Sequence, residues 1–177
     1  YLKIAKEHGS KNLHKRSINL SQDNSLTYDL VKEIYEEELK NGNNFNLILI
    51  LQPTSPFRDL KTFIKAYKIL TKKKYDTVLS VREVKDHPER MKKFSKKNGK
   101  IDNYLDLSVE SLKPRQKLNK LYIRSGSMYF FKSDNLKKYD SLVGKKVFGI
   151  KNENKYAINI DDHEDLILAN FYAKSSK

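Results

Sequence analysis

The chain of 177 residues contains no cysteine, which excludes a disulfide framework and a metal site built from thiolates. A reducing compartment is compatible with this composition, and we expect a cytoplasmic protein. The sequence also lacks any apolar run near the roughly 18 residues that indicate a membrane span, and no signal peptide is recognisable. We therefore expect no membrane partner.

Arginine is scarce too, and this affects how the large positive charge is interpreted. The formal net charge is +14, but lysine outnumbers arginine about five to one. Proteins that read nucleic acids favour arginine, because its guanidinium fork makes paired hydrogen bonds. We interpret the charge as a solvated, lysine-rich surface. A basic nucleic-acid-binding module is the alternative, and it predicts an affinity that falls steeply with salt. An anionic ligand, such as a nucleotide or an acidic sugar, fits the sign of the charge equally well.

The most informative stretch is NLILILQPTSPFR, at residues 46–58. Leu47 to Leu51 form an unbroken apolar run, which predicts a central strand buried on both faces of a sheet. Pro53 and Pro56 then forbid both helix and ladder pairing, and Asp59 is suited to cap the next helix. In open α/β sheets, ligands bind at such a corner, beyond the carboxyl end of a strand.

Helical and strand-like segments alternate along the chain, which predicts an α/β fold with a mostly parallel sheet. Apolar residues at helical spacing mark the helices, and short β-branched or apolar runs mark the strands. Helices are predicted at 1–8, 26–39, 59–71 and from 161 onward, and strands at 47–51, 77–81, 121–131, 146–150 and 156–160.

Local signals also predict individual contacts. Gly126 lies inside a predicted strand, which indicates that another group approaches its backbone closely. Asp161 is the expected N-cap of the last helix, and Glu164 completes a capping-box spacing. The apolar residues expected to face inward in this helix are Ile167, Leu168 and Phe171.

Residues 82–121 interrupt the alternation of helices and strands. Charge rises there, periodicity fades, and Asn98–Gly99 is typical of a hairpin turn. We expect a core formed by residues 1–81 and 122–177, and an inserted arm at 82–121 that contacts a second subunit. The chain begins within a helical pattern and without an initiator methionine, so we expect this core to be incomplete at its amino terminus.

Several motifs resemble, in the same order, those of the acylneuraminate cytidylyltransferases, the CMP-sialic acid synthetases. The most specific is LQPTSPFR at 51–58, which is similar to the family's LQPTSPLR. Weaker matches that keep the family's order are KRSINLSQDNSLT (15–27), TVLSVREVKDHP (77–88), KPRQKL (113–118), RSGSMYFF (124–131) and AINIDDHEDLILA (157–169).

The resemblance implies a Rossmann-like sheet of the nucleotide-diphospho-sugar transferase type and a homodimer. It also implies an enzyme that transfers CMP from CTP to a nine-carbon acidic sugar, a sialic acid or related nonulosonic acid, and releases pyrophosphate with the help of Mg²⁺. Another sugar-nucleotide transferase of the same fold is the alternative. The family's amino-terminal segment, rich in glycine, serine, lysine and arginine, is not recognisable, so we expect this stretch of chain to be inactive alone.

The same resemblance assigns roles to individual residues. Gln52 and Arg115 are the catalytic candidates, with Gln52 contacting the substrate and Arg115 near the acceptor's carboxylate. Asp161 and Asn159 match the family's magnesium-binding Asp-x-Asp, with asparagine replacing the first aspartate. The substrate-binding candidates are Arg16, Thr27, Gln52, Thr54, Ser55, Arg90, Arg115 and Ser125.

Overall fold

Helices and strands alternate along the chain, which confirms the predicted α/β class. The computed structural model describes residues 1–22, 24–72, 74–106, 113–153 and 157–175. The helices are α1 (Leu2–Glu7), α2 (Thr27–Lys40), α3 (Leu60–Thr71), α4 (Asn135–Lys138) and α5 (His163–Ser175). The strands are β1 (Leu47–Ile50), β2 (Thr77–Glu83), β3 (Lys92–Phe94), β4 (Ile101–Asn103), β5 (Tyr122–Lys132) and β6 (Val147–Lys151).

The main sheet is mixed, with the strand order β1-β5-β2-β6. β2 pairs parallel with β6, and both β1 and β2 pair antiparallel with β5. β1, β2 and β6 therefore run in one direction, as predicted, while β5 runs against them. The carboxyl ends of these three strands and the amino end of β5 meet at one edge of the sheet, which we call the carboxyl edge.

β1 is not the central, doubly buried strand that its apolar run predicts. Among the described residues it pairs with β5 alone, and Leu49 is 37% exposed. The strand inside the core is β2, which lies between β5 and β6 and whose first four residues, 77–80, are all buried. The prediction fails because an apolar run reports side-chain polarity and not the number of neighbouring strands.

The hydrophobic core lies between α3 and the sheet, and it fixes where the proline-containing corner sits. α3 begins directly after that corner, and Asp59 Oδ1 accepts the Lys61 N–H at 3.0 Å, which confirms the predicted N-cap. Burying a large apolar side chain in such a core contributes about 1.5–3 kcal/mol. The buried cluster consists of Ala66, Leu70, Val78, Met128, Phe130 and Ile150.

The capping box of α5 is displaced by one residue from its predicted position. The N-cap is Asp162, whose Oδ1 accepts the Asp165 N–H at 2.9 Å. Asp165 Oδ2 accepts the Asp161 N–H at 3.1 Å in return. The prediction of Asp161 with Glu164 is wrong because the acidic run contains two pairs with the same three-residue spacing, Asp161 with Glu164 and Asp162 with Asp165. The carboxylate of Asp161 is thereby left for other contacts.

The predicted inward face of α5 is also wrong. Ile167, Leu168 and Phe171 are 58%, 42% and 64% exposed, and the buried residue of this helix is Ala169. The predicted strand before the helix does not form a ladder at 157–160, where the Ile160 N–H bonds to the Thr54 carbonyl at 2.8 Å. Residue 156 of that predicted strand lies outside the described residues.

The arm contains the predicted hairpin. β3 and β4 pair antiparallel from Lys92 opposite Asn103, and Gly99 adopts a φ of +69° in the turn. Residues 107–112 of the arm lie outside the described part, and its contact with a second subunit stays a prediction. Among the described residues, no helix combines the length and apolar character needed to cross a bilayer.

Candidate functional site

The segment from Gln52 to Arg58 forms a stiff corner at the carboxyl edge. Arg58 Nη2 donates to the Gln52 carbonyl oxygen at 2.7 Å, and the Ser55 N–H donates to the same oxygen at 3.1 Å. The Ile160 N–H binds the corner from the other side, at the Thr54 carbonyl. Backbone contacts from two segments therefore fix the point from which the Gln52 side chain projects. Arg58 had no predicted role, because a contact to a backbone carbonyl leaves no pattern in sequence.

Gly126 gives the Gln52 side chain the space it occupies. The residue has a φ of +78°, a conformation that side-chain-bearing residues rarely adopt. A Cβ atom at this position would lie 2.9 Å from Gln52 Oε1, 3.4 Å from Asn159 Oδ1 and 3.4 Å from Ser55 Oγ. The predicted close approach to Gly126 is therefore confirmed, and three polar side chains converge on its backbone.

Asn159 connects the corner to Asp161. Its Oδ1 accepts hydrogen bonds from Thr54 Oγ1 at 2.7 Å and Ser55 Oγ at 3.2 Å. Its Nδ2 donates to Oδ1 and Oδ2 of Asp161, both at 2.7 Å. The structure thus brings together five of the predicted site residues, since Gln52 reaches the same point above Gly126.

The predicted magnesium ligands fit only in part. Mg²⁺ takes oxygen ligands and is usually held by one or two carboxylates together with substrate phosphates. The exposed carboxylate of Asp161 fits this role. Asn159 does not, because its amide oxygen faces the two hydroxyls of the corner and its nitrogen faces Asp161. In the described ranges, no group of three or more histidine or acidic side chains could hold a metal ion.

Arg115 lies elsewhere on the carboxyl edge, at a cavity of about 340 Å³ beyond the end of β2. Lys85 and Lys120 line the same cavity and add positive charge. The acidic residue there, Glu83, is engaged by Lys151, whose Nζ lies 3.1 Å from Glu83 Oε2. That hydrogen bond is the main cause holding the pKa of the Glu83 carboxyl below its ordinary value. The cavity therefore suits an anionic group.

The register of β5 shows how far this cavity lies from the corner. The Gln52 side chain lies over Gly126, and Glu83 at the end of β2 lies opposite Tyr122. Gly126 and Tyr122 are four residues apart, which corresponds to roughly 13 Å at about 3.3 Å per residue. Gln52 is not among the residues that line the Arg115 cavity.

His87, which also lines the cavity, was given no catalytic or binding role by the sequence. Its Nδ1 accepts the Glu89 N–H at 3.2 Å, so a neutral ring carries its hydrogen on Nε2. Nε2 is buried and has no hydrogen-bond partner within the described ranges. An unpaired buried donor costs about 1–3 kcal/mol.

Ser55 and Ser125 are buried, and neither is open to a ligand in this structure. Ser55 is 0% exposed beneath the corner, and Ser125 is 3% exposed at the start of the buried part of β5. Ser125 Oγ donates to Ser80 Oγ at 2.8 Å, inside the sheet. Both residues were predicted to bind substrate, but their hydroxyls instead support the backbone around Gly126.

Thr27 lies away from the corner. The hydroxyl oxygen of the next residue, Tyr28, lies 3.1 Å from the Leu136 carbonyl oxygen, and Leu136 follows the carboxyl end of β5, at the edge opposite Gln52. Arg16 is exposed in the segment before α2. The structure therefore does not bring Thr27 to the corner, and the predicted contact of Arg16 with the nucleotide stays a prediction.

Arg90 contacts the segment that leads into Arg115. Its Nη2 donates to the Lys113 carbonyl oxygen at 3.1 Å. Arg90 therefore joins two parts of the arm, the short turn at Pro88–Arg90 and the segment that leads into Arg115. The predicted contact of Arg90 with substrate stays a prediction.

Together, the fold and these side chains define an α/β protein with a rigid polar corner and an anion-suited cavity along one sheet edge. The chain is 30% identical over 159 residues to N-acylneuraminate cytidylyltransferase A of Danio rerio, which covers 90% of this chain and 35% of that protein. It is 24% identical over 152 residues to N-acylneuraminate cytidylyltransferase of Streptococcus agalactiae serotype III, covering 86% of this chain and again 35% of the relative. These relatives confirm the resemblance found in the motifs, and the chain spans about a third of their length.

Two further comparisons add context. Post-translational flagellin modification protein B of Campylobacter coli is 23% identical over 173 residues, covering 97% of this chain and 72% of that protein. The crystal structure of 4-diphosphocytidyl-2C-methyl-D-erythritol synthase from Anaerococcus prevotii is 18% identical with a TM-score of 0.47, covering 82% of this chain and 76% of that one. No family model matches the chain.

Proposed function

We propose that this chain is part of a cytidylyltransferase that transfers CMP from CTP to a sialic acid or related nonulosonic acid and releases pyrophosphate. The observation that carries the proposal is the convergence of Gln52, Asn159 and the Ser55 hydroxyl on Gly126, at the corner whose sequence resembles that family. Relatives named as N-acylneuraminate cytidylyltransferases support it.

In this reaction the anomeric hydroxyl of the sugar forms a bond to the α-phosphorus of CTP, and the bond from that phosphorus to the pyrophosphate oxygen breaks. Such transfer depends mainly on positioning and on stabilising charge. The amide of Gln52 both donates and accepts hydrogen bonds, so it can bind a polar group of the substrates from a backbone that Arg58 holds in place. Mg²⁺ held by Asp161 would supply charge neutralisation at the phosphates.

The cavity at Arg115 is assigned to the carboxylate of the acidic sugar. Arg115, Lys85 and Lys120 supply positive charge, and the His87 Nε2–H supplies a donor without a partner among the described residues. A planar guanidinium matches a carboxylate in two parallel hydrogen bonds. The separation of roughly 13 Å along β5 between Gly126 and Tyr122 lets Gln52 and Arg115 contact different parts of a ligand as extended as a nine-carbon sugar joined to a nucleotide.

Binding of the acceptor to the chain, followed by NMR with isotope-labelled protein, tests the proposal without requiring turnover. N-acetylneuraminate is expected to shift the amide signals of Gly126 and Leu121, while the neutral N-acetylmannosamine serves as the control. In parallel, pyrophosphate release is assayed with CTP and a panel of nonulosonic acids, with UTP, GTP and ATP as alternative donors and the Danio rerio relative as positive control. Absence of both acceptor binding and CTP-dependent release with every acid tested would refute the proposal.

A further inference from the structure

The orientation of the Asn159 amide is fixed by its partners. A carboxylate only accepts hydrogen bonds, so the atom that lies 2.7 Å from both oxygens of Asp161 is the amide nitrogen. The amide oxygen then faces the hydroxyls of Thr54 and Ser55, which donate to it. The amide oxygen thereby uses both of its acceptor positions, and none is left for a cation.

We propose that Asn159 is a positioning residue and not a cation ligand: it couples the Thr54–Ser55 corner to Asp161 and leaves Asp161 as the only side chain of the pair that binds a divalent cation. The cation-binding role of Asp161 rests on the proposed function. The hydrogen bonds of Asn159 do not depend on that function.

The other side chains of similar size cannot replace these contacts. Aspartate at position 159 accepts from Thr54 and Ser55, but it has no N–H for Asp161 and places a second negative charge beside it. Alanine removes both sets of contacts. Only an amide accepts on one side and donates on the other, and glutamine is longer by one methylene. Asparagine at this position therefore makes contacts that an aspartate could not make.

A single protein carboxylate has a consequence for cation binding. Mg²⁺ keeps several waters and relies on substrate phosphates when few carboxylates are present. The chain is therefore expected to bind Mg²⁺ or Mn²⁺ weakly by itself and to gain affinity when CTP supplies further oxygens. Cation binding and nucleotide binding are thus coupled through Asp161.

Mn²⁺ binding, measured from the electron paramagnetic resonance signal of the free ion, tests the assignment on the 177-residue chain. Asp161→Ala is expected to weaken Mn²⁺ binding by about 10-fold or more, because it removes the carboxylate ligand of the pair. Failure to detect any Asp161-dependent binding up to about 10 mM Mn²⁺, with or without CTP, would overturn the role given to Asp161.

Two further measurements test the positioning role. In cation-free buffer, Asn159→Asp should lower the midpoint of thermal unfolding by roughly 4 °C or more, whereas Asn44→Asp adds the same charge at an exposed site and should leave it unchanged. The side-chain amide NMR signals of Asn159 should be protected from hydrogen exchange, retain that protection in saturating Mg²⁺, and lose it in Asp161→Ala. Loss of protection on adding Mg²⁺ to the wild-type chain would show that the amide turns to the metal and would refute the proposal.

Discussion

Gly126 and Gln52 are in such close contact that a single methyl group at residue 126 would lie 2.9 Å from Gln52 Oε1. Gly126 belongs to β5 and Gln52 to the corner after β1, so their contact joins the two strands at the carboxyl edge. The contact also aims the Gln52 amide, because the glycine backbone forms the surface on which that side chain rests.

In a longer, active form of the protein, Gly126→Ala should lower the rate of CMP transfer by a factor of roughly 10–100, because the new methyl group displaces Gln52 from its position. The positive φ adds a cost of about 1 kcal/mol or more to folding. Gly42→Ala is the matched control, since Gly42 has a φ of +84° but nothing within 4 Å of the added Cβ. Kinetics and urea unfolding of the two variants separate the effects. Equal losses of activity would contradict the role of Gly126.

Arg58→Met should reduce activity more than it reduces stability. Arg58 is exposed, so its hydrogen bond to the Gln52 carbonyl contributes less than about 1 kcal/mol to the free energy of unfolding. The same bond fixes the corner, and its loss lets Gln52 move relative to the substrate. Lys61→Met, which removes a nearby charge on α3, is the control. A decrease in stability with unchanged kcat would argue against this interpretation.

Arg115→Met should weaken binding of the acidic sugar by about 10–100-fold and leave the KM for CTP nearly unchanged, since a charge-assisted hydrogen bond contributes about 1.5–3 kcal/mol. Lys117→Met, in the same short turn, removes an equal charge that is not among the residues lining the cavity. Isothermal titration with N-acetylneuraminate gives the affinities. Similar weakening by both variants would indicate general electrostatic attraction and no specific contact.

The displaced capping box of α5 makes a prediction about stability alone. Asp162→Ala should lower the free energy of unfolding by about 1 kcal/mol, because its side chain caps the Asp165 N–H. Glu164→Ala, at the residue that the sequence pattern favours, should change it by less than about 0.5 kcal/mol. Asp162→Ser should restore most of the loss. Urea titrations of the variants show which residues cap the helix. A larger loss of stability in Glu164→Ala than in Asp162→Ala would favour the predicted capping box of Asp161 and Glu164.

The contact between Tyr28 and Asp140 should make stability depend on pH. The Tyr28 phenol donates to the Asp140 carboxylate, and this bond, with the charge of Lys32, holds the pKa of Asp140 below its ordinary value. A lowered carboxyl pKa contributes stability above the unfolded pKa of about 4, and that stability is lost as the pH falls through the folded pKa. Between roughly pH 5 and 2, Tyr28→Phe should therefore lose less stability than wild type. Tyr104→Phe, at an exposed phenol, should behave as wild type.

The sequence predicts local features of this fold better than its arrangement in space. Asp59 as an N-cap, the hairpin turn at Gly99 and the close approach to Gly126 follow from short-range backbone chemistry, and all three are confirmed. The edge position of β1 and the reversed direction of β5 depend on which strands become neighbours. Strand polarity and pairing leave no local signal, so the pattern of apolar residues could not reveal them.

In the site, too, the sequence indicates local features better than it indicates burial and the docking of helices. The family motifs single out Gln52, Thr54, Asn159 and Asp161, and the structure joins the last three through hydrogen bonds between two segments. The motifs give no means of separating a buried hydroxyl such as that of Ser55 from an exposed one. The placement of Thr27 depends on how α2 docks, and an amphipathic pattern shows only that a helix has an apolar side.

The mixed sheet also sets an order of events during synthesis. β1 and β2 do not pair with each other, and each relies on β5, which lies more than thirty residues further along the chain than either of them. On the ribosome, both early strands wait until residues 122–132 have emerged, because contacts distant in sequence form late and slowly. The corner bearing Gln52 is therefore assembled only after β5 has been synthesised, and any chain released before β5 lacks the surface on which that glutamine rests.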